Sequence, residues 1–291
     1  MKWTWLAATA LVVAGCGGGA SPPAPTATPT LTPTAASARV APLCERADRQ
    51  ALGRAEHPAV TELSGLARTE DGRFWTHNDS GDGPRVFELD PTGAFLREVA
   101  VQGAEAYDWE DIAIRASTLY VADIGDNLGQ RESVQVYRFK LPEGPTAQAT
   151  TLTLRYEDRP HDAEALLVDP RNGELAIVTK DFSGVAGVFT ARGSGTMRKV
   201  ADLNLGVGQA VTSGDVSADG KTIILRSYGS AFVWERAESE SLATALQRAP
   251  CIVKANLIEE GQGETIALSP DGRAFYTIPE GVNPVLRRYG G

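Results

Sequence analysis

Histidine and cysteine are scarce in this sequence, with three of each in 291 residues, and that scarcity excludes several kinds of site. His57, His77 and His161 form no H-E-x-x-H pair, there is no C-x-x-C for a zinc or redox centre, and there is no G-x-S-x-G nucleophile elbow. Basic clusters are also missing, and a formal charge of −9 argues against nucleic acid as a partner. Partners of the opposite or neutral kind remain: cations, small molecules, glycans, proteins. A near miss for a phosphate loop, G-D-V-S-A-D-G-K-T from Gly214 to Thr222, has one residue too many and reads as a strand-turn-strand.

Long apolar runs are missing as well. Lys2 is followed by an apolar stretch from Trp3 to Ala14, too short to span a bilayer as a mature helix and matching the apolar core of a signal peptide. It ends in V-A-G-C, Val13 to Cys16, which resembles the lipobox of bacterial lipoproteins. The resemblance implies that residues 1–15 are removed and that Cys16 carries diacylglycerol and a further acyl chain. The expected address is the cell envelope, anchored to a bacterial membrane by lipid and facing outside the cytoplasm. Residues 16–37 follow as a Pro/Thr-rich stretch with one leucine and no charge, which cannot bury a core and is expected to be a disordered tether. About twenty extended residues at roughly 3.1 Å each reach up to about 60 Å.

Residues 38–291 are expected to form one domain, and its internal repeats indicate the fold. S-G-L-A at Ser64, E-D-I-A at Glu110, E-A-L-L at Glu164, G-D-V-S at Gly214 and E-T-I-A at Glu264 recur at roughly 50-residue spacing, as propeller blades do. A second strand follows each, and four of the intervening turns are D-G or N-G: Asp71-Gly72, Asn172-Gly173, Asp219-Gly220 and Asp271-Gly272. Third and weaker fourth strands complete the pattern. The expectation is an all-β fold, a single β-propeller of five four-stranded blades; the alternative is six blades. The fifth blade lacks an outer strand of its own, so the segment from Cys44 to Val60 is expected to supply it and close the ring. A short helix is expected near Ser239 to Gln247, where Leu242 and Leu246 share a face. Ring closure brings Cys44 beside the outer region of the fourth blade, where Cys251 lies, and an oxidising compartment would preserve a disulfide between them.

The wording of the first blades carries a family resemblance. E-L-S-G-L-A, W-T-H-N-D-S-G-D, D-W-E-D-I-A and V-A-D-I-G-D-N followed by V-Y-R, within Glu62 to Lys180, resemble an exported bacterial propeller family distantly similar to phytase-like, esterase-like and NHL-type propellers. Phytase-like relatives imply a calcium-dependent hydrolase of phosphoesters or lactones, although the few basic residues suit a highly phosphorylated substrate poorly.

Chemistry is expected at the propeller axis. Glu110, Glu164 and Glu264 share one repeat position, with Asp111 and Asp215 one residue on. Carboxylates facing one another need a cation, a basic partner or protonation. Glu110, Asp111, Glu164 and Glu264 are therefore candidate ligands for Ca²⁺ or Mg²⁺; the competing reading has these acids capping backbone N–H groups or pairing with Lys180 and Arg226. A second candidate is the loop pair H-N-D-S-G-D-G and D-I-G-D-N, with His77, Asn78, Asp79, Asp82, Asp123, Asp126 and Asn127 as possible ligands. The same side chains suit Asx-turns. His77 near Asp79 is a candidate base with a structural alternative, and Trp75, Trp109 and Trp234 read as packing residues. Two functions follow: a membrane-anchored scaffold binding a protein, glycan or small ligand, or the Ca²⁺-dependent hydrolase.

Overall fold

A computed structural model describes residues 38–45 and 47–290. The expected signal peptide (1–15), lipid acceptor Cys16 and tether (16–37) lie outside the described residues. Among those described, no helix is long and apolar enough to cross a membrane.

The fold is an all-β propeller. Its innermost strands are Leu63–Arg68, Trp109–Arg115, Ala163–Val168, Val211–Val216 and Ala267–Leu268. From each, antiparallel neighbours step outward to make a four-stranded unit, and in the first Thr146–Gln148 adds a fifth strand, parallel to Phe95–Gln102. The second and third units share one eight-stranded sheet, because the outer strand Thr150–Tyr156 pairs in parallel with Gly195–Asn204. The turns closing the first and second strands hold Gly72, Gly173, Gly220 and Gly272 at positive φ, the conformation for which their D-G and N-G dipeptides are suited. Ala41–Glu45, just before the first strand, is helical. Arg49–Arg54 then pairs antiparallel with Val285–Tyr289, so a strand that precedes the first unit completes the last one and closes the ring. Cys44 and Cys251 form a disulfide, with Cα atoms 5.8 Å apart. The short helix is Leu242–Leu246, capped by Ser241 and buried against Val188, Leu203 and Trp234 between the third and fourth units.

A belt of hydrogen bonds ties the inner strands together. The Ser64 hydroxyl donates to the Glu110 carbonyl at 2.6 Å, and the Gly65 N–H to the Glu264 carbonyl at 2.9 Å. The Asp111 carboxylate accepts from Leu166 N–H (2.8 Å), Gly214 N–H (3.2 Å) and Ser213 Oγ (3.0 Å), reaching two other units. Asp215 accepts from Leu268 N–H at 2.7 Å. Space at this convergence is tight: a Cβ on Gly65 would lie 2.6 Å from the Ile112 nitrogen.

Candidate functional site at the axial mouth

The inner strands are not regular where they approach the axis. In the first four units the register slips by one residue, leaving Gly65, Glu110, Glu164 and Thr212 as the bulged positions. A bulge bends the strand and re-aims its side chain. In the fourth unit it falls at Thr212, two residues before Gly214, where the sequence register places the equivalent position.

Loops entering the inner strands and loops leaving the second strands emerge at the same end of the ring, and there carboxylates accumulate. Asp79, Asp108 and Glu110 place ligand oxygens within 4.8 Å of one another; so do Asp79, Glu264 and Glu280. Asp79 belongs to both groups. Among the described residues none of these five acids has an ion-pair partner within 4.0 Å. Lys180, the cation at the mouth, is committed to Glu164 and lies over the Tyr228 ring at 5.6 Å. The Tyr228 hydroxyl donates to Glu264 Oε1 at 2.9 Å. Glu264 Oε2 and Glu164 Oε2 are buried without a hydrogen-bond partner.

Like charges so placed repel, by about 4 kcal/mol per pair at 4 Å and an effective dielectric of 20, and their proton affinities reflect it. Burial, then the Glu164, Asp79, Asp108 and Glu264 charges, raise Glu110 well above the carboxylate range. Burial chiefly, with Asp79 and Asp162, pushes Asp108 up to about 6. Burial and the adjoining Glu264 carboxyl push Glu280 up to about 8. The ensemble is short of positive charge and supplies oxygen donors only, the preference of Ca²⁺ and Mg²⁺.

Several sequence-based expectations are corrected here. Asp111 points away from the mouth, and its two oxygens are taken by backbone and Ser213 donors on the inner strands. Asp215 does likewise with Val216 and Leu268. Glu164 pairs with Lys180, as one of the two readings held. Arg226 pairs with Glu260 at 3.2 Å instead of an axial glutamate. His77 is fully buried, edge-on to Trp109 at 5.5 Å, and burial lowers it to about 4; it belongs to the packing. Asn78 accepts from Thr61 and Glu62 N–H and holds Asp82, which pairs with Arg85. Asp126 closes its own loop by accepting from Gln130 and Arg131 N–H, and Asn127 is exposed. Of that loop pair only Asp79 reaches the mouth as a candidate ligand. Asp123 supports it indirectly: paired with Arg131 at 2.8 Å, it accepts the Asp108 N–H at 3.1 Å and so positions that residue. Gly125, in the same D-I-G-D-N run, matters through absence, since a Cβ there would overlap the Glu110 and Asp108 carboxylates.

The same end of the ring carries Tyr107, Leu128, Phe182, Val207, Ile258 and Val282, 63–89% exposed. The described chain begins at the opposite end, where Arg39 bonds Asp219 and the Asp271 carbonyl in first-to-second-strand turns.

Fold and site together define a propeller with an acidic axial mouth. The sequence matches no known family profile and no curated protein. Among solved structures it is similar to the PQQ-bound aldose sugar dehydrogenase of Streptomyces coelicolor, with 11% identity, a TM-score of 0.52, and coverage of 84% of this chain and 98% of that one. A gluconolactonase from Xanthomonas campestris, XC5397, aligns over 91% of this chain and 99% of its own, with 12% identity and a TM-score of 0.47. The likeness to the dehydrogenase shows the propeller fold.

Proposed function

We propose that this chain is an extracytoplasmic propeller, held at a membrane through lipid on Cys16, that binds an oxygen-rich ligand at its axial mouth through Ca²⁺. The observation that carries the reading is the group of five carboxylates, Asp79, Asp108, Glu110, Glu264 and Glu280, without a basic partner around the axis. A bound divalent cation relieves their repulsion and leaves coordination positions for oxygens of a glycan, ester or protein surface. The exposed apolar side chains around the mouth support a ligand that also has apolar parts. The disulfide supports an oxidising compartment.

Calorimetric titration of the full chain with Ca²⁺ tests this. Binding that is lost in Glu110→Gln and Asp108→Asn supports the reading, and no heat at any concentration up to the millimolar range sinks it. Hydrolysis is a second reading, favoured by one observation: five carboxylates converge at the mouth, and one that is not coordinated can accept a proton from a water attacking an ester beside the cation. Absence of turnover of both a lactone and a phosphoester by the calcium-loaded chain would dismiss it.

A further inference from the structure

We infer that the mouth holds two cations bridged by Asp79, one against Asp108 and Glu110 and one against Glu264 and Glu280. The inference rests on the cation reading above and deepens it.

Three observations carry it. The candidate ligands form two groups, each compact enough to share one ion, and Asp79 alone is common to both. Its position at the end of the second strand Phe74–Asn78 sets it between the second unit, which contributes Asp108 and Glu110, and the fifth, which contributes Glu264 and Glu280. Carboxylates bridge metal ions readily because their two oxygens can bind different ions. Second, charge must balance. With the five carboxylates deprotonated as ligands, one divalent ion offsets two of their charges and two ions offset four, while Lys180 is already spent on Glu164. Third, Glu264 is 4% exposed, and its Oε2 is buried with no hydrogen-bond partner. A cation on the Asp108 side alone would leave that oxygen with only the Glu280 carboxyl beside it, whereas an ion between Glu264 and Glu280 takes it as a ligand. A bridged pair, with ions about 4 Å apart, is suited to holding two oxygens of one ligand, such as a phosphoester or a carboxylate.

The test uses the full chain and metal alone. Titration with Ca²⁺ is expected to give two equivalents for the wild type and one for Glu280→Gln, with the remaining site weakened less than tenfold. Asp79→Asn is expected to weaken both. Because these variants can misfold, the wild type is also loaded with two equivalents of Mn²⁺ and examined by electron paramagnetic resonance. Bridged ions give an exchange-coupled spectrum; isolated ions give six uncoupled lines. One equivalent of Ca²⁺ in the wild type, or an uncoupled Mn²⁺ spectrum at full loading, overturns the second site and leaves the single-cation reading intact. Complete absence of binding overturns both.

Discussion

The Asp111 carboxylate, on the innermost strand of the second blade, accepts the backbone N–H of Leu166 on the third at 2.8 Å. With Ser213 and Gly214 also donating to it, one buried side chain holds three blades in register. Removing it strands these donors away from water. Asp111→Ala is expected to cost on the order of 3 kcal/mol, lowering Tm by roughly 10 °C for a domain of this size. Calcium affinity of the folded variant should stay within about threefold. A Tm within about 2 °C of wild type would remove the belt from the account of stability.

The mouth gives the metal-free protein a pH dependence of definite sign. Asp108 and Glu280 are raised in the folded state, to about 6 and about 8. Their protonated forms favour the fold, so this stabilisation is complete below the unfolded carboxylate range and is lost as pH rises through these values. In chelator, Tm is expected to fall from pH 5 to pH 9; with Ca²⁺ it should flatten. Cation binding at pH 7 should release protons from the raised carboxyls, Glu280 and Glu110, visible as a dependence of the calorimetric heat on buffer ionisation enthalpy. A chelated protein with constant Tm across this range would contradict the shifted carboxyls.

Gly125 is expected to be the most sensitive position that carries no ligand atom. Its backbone runs against the Asp108 and Glu110 carboxylates, and a methyl group there overlaps both. Gly125→Ala should weaken calcium at least tenfold by displacing them. Gly129, at positive φ with open space around it, provides the control in the same loop: Gly129→Ala should cost about 1 kcal/mol of stability and leave calcium affinity unchanged. Equal loss of affinity in both would attribute the effect to general loosening of the loop.

The blades were legible because four of the five repeat the same strand, D-G or N-G turn and strand, and because alternation and turn chemistry are local properties. The closing strand followed from a blade with one strand too few. The mouth was legible only in part. Glu110 and Glu264 stand at a repeated position, but which neighbour turns inward depends on a bulge, and a bulge at Glu110 leaves Asp111 pointing into the belt. Asp108, two residues before Glu110 as Asp162 is before Glu164, shared a repeat signal that went unused; Glu280 lies in a loop that does not repeat, and only radial closure of the ring brings both beside Asp79. The Asp-rich loops offered a misleading signal for a local reason. Asn78, Asp82 and Asp126 satisfy their own turns, the role that short polar side chains take most readily.

Closure of the ring itself can be tested through Cys44 and Cys251. Cys44 lies in the short helix Ala41–Glu45, whose Leu43 is buried with Val233, Val253 and Leu257. The disulfide therefore fastens to the fourth blade the segment that then supplies the fifth blade's outer strand. The bonded cysteines are 207 residues apart, and closing a loop of that size contributes about 5 kcal/mol in the chain-entropy account. Reduction should lower Tm by at least about 10 °C. It should also speed hydrogen exchange at Gln50–Arg54 before exchange in the inner strands, because the outer strand is then held only by its pairing with Val285–Tyr289. Loss of that pairing exposes an unpaired edge, so aggregation should increase with time under reducing conditions. A reduced protein with unchanged Tm and exchange would show that strand pairing and the Leu43 contacts close the ring unaided.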